Sequence, residues 1–388
     1  MNIVYIKIIS FKIALIFLGI IGAFFCMEIT VRLLPIKSTS KNISPYYYSC
    51  FSKGSYYWLR FQPKSKCTLK SGTKAFNDKT ITINSLALRS PEISTEKPSP
   101  TKRILFVGDS FTTGWTVKDN ESFPIVTGNL LNDQIPNQKI EVVNAGSVAA
   151  GVDYYYLYLK NEGLKLNPDV IVIGFFIDND IDDLILSNWL ESDENGLPIK
   201  AKSSYYFINY KNQLSSIQSP LKDRYSLIGK SAFLSLITDN FIKINSPIVN
   251  IERKKSKCLY LNLDLEECQP FILAKKKAKT LFLAMKKLAD DQNTPMLVAL
   301  LPSKFQVYPE AARKGDVSLP LTPEEKSSPN KKFTEFLKEN GIAYIDLLDE
   351  FRNKKGQQLF YVNDDHWNAK GHFLAGQIIS QELVYYLK

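Results

Sequence analysis

Ser110, in Gly108-Asp109-Ser110-Phe111, and His366, in Asn363-Asp364-Asp365-His366-Trp367-Asn368, are the residues of this chain best suited to covalent chemistry; the chain holds only two histidines. A serine hydroxyl is a weak nucleophile and needs a base within hydrogen-bond reach, itself oriented by a third group. His366 offers the imidazole, and either Asp364 or Asp365 can orient it. Two further segments stand between nucleophile and base: Asn144-Ala145-Gly146 and Asp178-Asn179-Asp180. Backbone N–H groups of Ser110 and Gly146, with the side-chain amide of Asn179, can form an oxyanion hole. The chemistry these residue types support is acyl transfer through a serine ester.

Such residues work only if separate elements bring them together. Ser110 follows the apolar run Arg103–Val107, Gly146 follows Ile140–Val143, and Asn179 follows Val170–Ile173. Apolar, β-branched runs of this length read as buried parallel strands, and ligands of open α/β sheets bind at the carboxyl edge. The pattern continues with a helix over Ala274–Ala289, a strand over Pro295–Leu301, a helix near Asn330–Asn340 and a strand over Ile342–Leu347. A last helix runs from Asn368 to Leu387. Alternation of this kind predicts an α/β class, with a central parallel sheet covered on both faces. Asp109 is expected to brace the turn, Asp180 and Asp182 to be solvated first-turn residues, and Asn368 to cap the last helix. Asn179 can also be read as a helix N-cap. His372 reads as packing or surface. Residues 184–269 interrupt the alternation and are expected to form an insertion over the site. Its Trp189, Tyr205, Tyr206, Tyr210 and Tyr225 are candidates for stacking on sugar rings or for packing the insertion itself.

The order of these blocks resembles the SGNH hydrolases, also called the GDSL esterases and lipases, with Ser110, Gly146, Asn179 and His366 on the family's four positions. The similarity runs from about Ile83 to the carboxyl terminus. It includes Gly114-Trp115 with Glu121-Ser-Phe-Pro124, and Asn167-Pro-Asp169, as in the membrane-anchored bacterial branch. His366-Trp367-Asn368 with Gly371-His372 resembles that branch and the alginate O-acetyltransferase-like proteins. The resemblance implies a three-layer α/β/α, flavodoxin-like fold and a serine mechanism without a cofactor or metal. Two positions depart from the pattern. Ile177-Asp178 stands where the third block usually carries glycine, and Asn363 stands where many members place the orienting aspartate. The acetyltransferase-like relatives use Asp-x-His, which matches Asp364. Asp364 is favoured over Asp365, because an adjacent side chain reaches back to its neighbour's ring less easily.

Composition is that of a globular chain of 388 residues, 45% hydrophobic and 23% charged. No glycine-rich nucleotide loop is present, and two histidines with scattered cysteines give little basis for a zinc site. The first 30 residues read as an uncleaved signal anchor: Ile13–Met27 is free of charge, and extension back to Val4 gives a bilayer-spanning length, with Lys7 and Lys12 able to snorkel. Residues 31–100 read as an approach segment and linker, and 101–388 as the catalytic domain. Close spacing suggests Cys50 with Cys67 and Cys258 with Cys268, one of the three connectivities that four cysteines permit, and disulfides persist outside the cytosol. The formal net charge of +10 is spread over scattered lysines and suits an anionic lipid or glycan surface better than nucleic acid. The expectation is therefore a membrane-anchored, extracytoplasmic (periplasmic or cell-surface) serine esterase or O-acyltransferase acting on small O-acyl groups of a surface glycan. Its partners would be an acylated glycan or small ester, the membrane and an acyl-donor membrane protein. Asp178 also fits another reading, a catalytically silent glycan-binding or assembly protein retaining the fold.

Overall fold

The computed structural model describes residues 3–33, 48–49, 51–57, 59–69, 79–203, 206–208, 213–216, 231–234, 236–237, 269–308 and 323–388. The chain divides into two units, one formed by residues 1–45 and 218–249, the other by residues 46–217 and 250–388.

In the first unit, helix α1 spans Ile3–Leu33. At 1.5 Å per residue it is about 46 Å long, against about 30 Å of bilayer hydrocarbon. Its segment Ile8–Leu33 holds an 18-residue stretch of mean hydropathy 2.4 and is long and apolar enough to cross a membrane. Near its end, the Glu28 carboxylate accepts hydrogen bonds from Ser231 Oγ at 2.7 Å and from the N–H groups of Ala232 and Phe233, both at 2.9 Å.

The second unit is built on a five-stranded sheet of β1 (Thr101–Gly108), β2 (Lys139–Gly146), β3 (Val170–Phe176), β4 (Met296–Leu301) and β5 (Ala343–Asp346). Their order is β2-β1-β3-β4-β5, and every pairing is parallel. Successive side chains of a strand point to opposite faces, so each strand feeds two cores. Leu105 and Val107 of β1 join one apolar cluster, while Ile104 and Phe106 join the other. On the first face lie α4 (Val152–Asn161), α6 (Gln269–Asp290) and α8 (Pro323–Glu339). On the second lie α3 (Phe123–Gln134) and α10 (Ala369–Leu387). The short helices α2 (Ser110–Thr113), α5 (Asp180–Leu186), α7 (Lys304–Val307) and α9 (Leu348–Asn353) follow strand ends. Each fully buried large apolar side chain in these two cores is worth about 1.5–3 kcal/mol.

The strand order reverses between β1 and β3, which marks the crevice where this kind of sheet takes its ligands. Ser110 follows β1 and Asn179 follows β3, so the two flank that point. Glycine is required here for close approach. Gly108, Gly146 and Gly174 stand level across the three strands, and a Cβ on any of them would collide with α2.

The approach segment contributes more than a linker. Strands Tyr48–Ser49, Lys66–Leu69 and Lys79–Thr82 join Tyr206–Ile208 and Gln213–Ser216 of the expected insertion in a second five-stranded sheet. Cys67 is disulfide-bonded, while Cys50, Cys258 and Cys268 lie outside the described residues. Tyr205, Tyr210 and Tyr225 also lie outside them. Trp189 is engaged within the fold: its indole N–H donates to Asp153 Oδ2 at 3.1 Å, and Lys277 Nζ lies 4.6 Å from its ring centre.

Candidate active site

The turn after β1 presents Ser110 because Asp109 holds it. Asp109 is the N-cap of α2, and its Oδ1 accepts from Phe111 N–H at 2.9 Å. Gly114 ends the helix in the left-handed conformation, φ 73°. Arg89, almost wholly buried, clamps that end by donating to the carbonyls of Thr113 (3.0 Å), Gly114 and Val117 (2.7 Å). The nucleophile candidate therefore stands on a turn fixed at both ends.

Ser110 Oγ lies 2.9 Å from His366 Nε2, although 256 residues separate them in sequence. On the other side of the ring, Nδ1 lies 2.6 Å from Asp364 Oδ1, which also accepts the backbone N–H of His366 at 2.9 Å. A carboxylate can only accept, so Nδ1 carries the proton and Nε2 is left to accept from Ser110 O–H. The imidazole stacks on Phe111, centroids 4.9 Å apart, and Phe111 in turn stacks on Phe176 at 4.0 Å. Burial pulls the His366 pKa down, but the charge and hydrogen bond of Asp364, followed by the charges of Asp109 and Asp365, outweigh it. The net value is raised above the ordinary histidine range. Asp365 is exposed and acts on the ring through its charge alone.

Asn179 occupies the N-cap position of α5 without making a cap bond. Its Oδ1 is buried with no hydrogen-bond partner. The unpaired atom is the amide's acceptor; an oxyanion would call on its other end, the Nδ2 donors. Gly146 behaves otherwise than expected: its N–H donates to Asn144 Oδ1 at 3.0 Å, and is spent there rather than aimed at an oxyanion. The reason is packing. Asn144 bridges β2 to α2, its Nδ2 donating to Thr112 O at 2.9 Å, and Gly146 lets that helix lie against the strand.

Asp180 and Asp182, expected in solvent, are buried. Asp180 accepts from Tyr155 O–H at 2.8 Å and from Phe176 N–H at 2.9 Å, which pins α5 to the end of β3. Burial, with the charge of Asp109, pushes its pKa well up. Asp109 is likewise raised by burial, to about 6, with the Phe111 N–H and His366 opposing. His372 is a buried acceptor for Phe123 N–H at 3.3 Å, and burial holds it neutral by pushing its pKa well below the usual value. Asn368 caps α10, accepting from Lys370 and Gly371 N–H at 2.9 and 3.2 Å. Arg89 and Lys304 are the supporting residues that spacing did not flag; an isolated basic residue far from the motif in sequence carries no local signal.

Residues 259–385 match the sequence model of the SGNH hydrolase-like domain of acetyltransferase AlgX. Asp364 and His366 fall within that stretch, whereas Ser110, Gly146 and Asn179 precede it. Among solved structures, a protein assigned to the G-D-S-L lipolytic family from Desulfitobacterium hafniense DCB-2 aligns at 13% identity and TM-score 0.37, covering 72% of this chain and 99% of its own. An acetylxylan esterase, Axe2, from Geobacillus stearothermophilus aligns at 10% identity and TM-score 0.39, covering 73% and 94%. A two-domain esterase active on acetylated mannans aligns at 11% identity and TM-score 0.38, covering 75% and 49%. At such scores these alignments carry no weight for the chemistry, which rests on the geometry above. Among curated proteins none matches the chain in sequence.

Proposed function

We propose that this chain, which carries an SGNH hydrolase-like domain, is a membrane-anchored, extracytoplasmic serine esterase or O-acyltransferase acting on small O-acyl groups of a glycan. The observation that carries the reading is the relay of Ser110, His366 and Asp364 at 2.9 and 2.6 Å. Ser110 Oγ attacks the ester carbonyl carbon while its proton passes to His366 Nε2. The negative charge that develops on the carbonyl oxygen is held by Ser110 N–H and the Asn179 side-chain amide. Ser110 N–H is the first of α2, and such groups lack an intrahelical partner. His366 then gives its proton to the departing alkoxide oxygen, the C–O bond breaks, and an acyl-serine remains. Water or a sugar hydroxyl, deprotonated by His366, attacks that ester and restores Ser110. The anchor reading draws on the apolar span Ile8–Leu33.

Asn179 supplies a test of charge stabilisation. Asn179→Ala is expected to lower kcat by roughly 10²–10³ with KM little changed, the signature of a donor engaged mainly in the transition state. A loss confined to KM would make Asn179 a ground-state binder instead.

Substrate class is tested with the full chain in detergent. A fluorophosphonate should label wild type and not Ser110→Ala. Acetyl and long-chain aryl esters are then compared with and without oligosaccharide acceptors. Pocket discrimination is worth only about 1–3 kcal/mol per methylene but accumulates along a chain, so acetyl esters should lead. A kcat/KM that climbs steadily past about eight carbons, with no response to any glycan, would identify a lipase.

A further inference from the structure

Asp364 and His366 sit on a loop, Tyr361–His366, whose tip projects into solvent: Val362 is 82% exposed and Asn363 is exposed as well. An exposed turn is a poor platform for an acid–base pair, whose geometry must hold to a fraction of an ångström. The main chain of this turn is gripped from below by one side chain. Lys304 Nζ lies 2.8 Å from Tyr361 O, 2.8 Å from Val362 O and 3.4 Å from Asp364 O. An ammonium has three donors and no acceptor, and here they face three carbonyls of one turn. Lys304 itself is fixed to the sheet. It is the first residue of α7, whose cap Ser303 follows β4 and accepts from Gln306 N–H at 3.3 Å, while Ser303 N–H donates to Gln306 Oε1 at 3.1 Å. Tyr361 ties the turn as well: its N–H donates to His366 O at 3.1 Å, its O–H donates to Thr116 O at 2.8 Å, and Lys79 Nζ lies 3.1 Å from the phenol oxygen.

We propose that Lys304 is a positioning residue: as a strut from the end of β4, it fixes the turn so that the Asp364 carboxylate stays on His366 Nδ1. It touches neither substrate nor Ser110 and acts through Asp364 alone. As a kinetic claim this rests on the serine-esterase reading; as a structural claim it does not.

The test therefore has two readouts. Because the chain has two histidines, His366 can be followed by NMR titration without substrate, and His372, buried and neutral, serves as the internal reference. The charged groups acting on His366 are Asp364, Asp109 and Asp365, all of which raise it. Deleting a nearby cation by charge alone would push the His366 midpoint up. Loosening the Asp364 contact pushes it down. In Lys304→Met, which keeps the stem and removes the donors, the midpoint is expected to fall toward that of Asp364→Asn. kcat should fall roughly tenfold to hundredfold, as for a small misplacement of reacting groups, with KM within about twofold. The Lys304→Met/Asp364→Asn pair should be no slower than Asp364→Asn alone, since the strut acts through that carboxylate. Lys304→Gln provides the same reading if Lys304→Met does not fold. An unchanged or raised His366 midpoint in a folded variant, or losses that multiply in the double variant, overturns the proposal. A fully active Ser110→Ala would instead overturn the esterase reading and leave the titration result standing.

Discussion

Ser110→Ala is expected to remove nearly all hydrolysis of a short-chain aryl ester, and His366→Ala to remove about as much. The two groups form one unit: the hydroxyl is unreactive without the base, and the base has nothing to deprotonate without the hydroxyl. Loss on the order of 10⁴–10⁶ in kcat is the scale for such units, and the double variant should be no worse than either single one. Stability should hardly move for Ser110→Ala, which deletes one half-buried hydrogen bond worth about 1 kcal/mol. Circular dichroism and a melting curve then separate lost chemistry from lost fold. Activity within about tenfold of wild type in folded Ser110→Ala would end the serine mechanism.

The sheet was legible because its inner strands are buried on both faces. Runs such as Val170–Ile173 have no polar position to confuse their reading; the structure extends that one to Phe176, and carries Arg103–Val107 and Ile140–Val143 on to Gly108 and Gly146. The meeting of Ser110, His366 and Asp364 was legible for a different reason: a serine past a strand end and a late Asp-x-His are residue types with few other uses in that arrangement. What escaped was whatever depends on partners distant in sequence. Asp180 reads locally as an acidic first-turn residue, and only the fold reveals Tyr155 waiting for it. Gly146 N–H follows a strand end as an oxyanion donor would, yet Asn144, two residues back, captures it. The approach segment carries no long apolar run to mark its short strands, which pair with one another and, through Tyr48–Ser49, with Gln213–Ser216. Arg89 and Lys304 are keystones by virtue of the carbonyls around them, and carbonyls are invisible in a sequence.

Asp364→Asn should cost on the order of 10³–10⁴ in kcat, and should also move the pH profile in a direction that identifies its cause. An asparagine can turn its NH₂ toward Nδ1, which favours the tautomer with the proton on Nε2, and that nitrogen can no longer accept from Ser110. The pH effect follows from the balance on His366. As a base it works neutral, so activity is low in acid and rises as pH passes the His366 pKa, which in wild type lies above the ordinary value of about 6.5. Burial pulls that pKa down, and Asp364 is the largest influence holding it up. Without the Asp364 charge, burial is opposed only by Asp109 and Asp365, so the acid limb should move to lower pH even as the plateau collapses. Asp365→Asn removes an exposed charge with no bond to the ring, and solvent screens such a charge, so its plateau should stay within a few-fold of wild type. Steady-state kcat measured from about pH 5 to 9 on both variants decides the matter, because the imidazole titrates within that range. A larger loss in Asp365→Asn would transfer the orienting role to Asp365 and would require the turn to rearrange on substrate binding. A collapse in Asp364→Asn with an unmoved acid limb would mean that Asp364 holds the ring by shape rather than by charge.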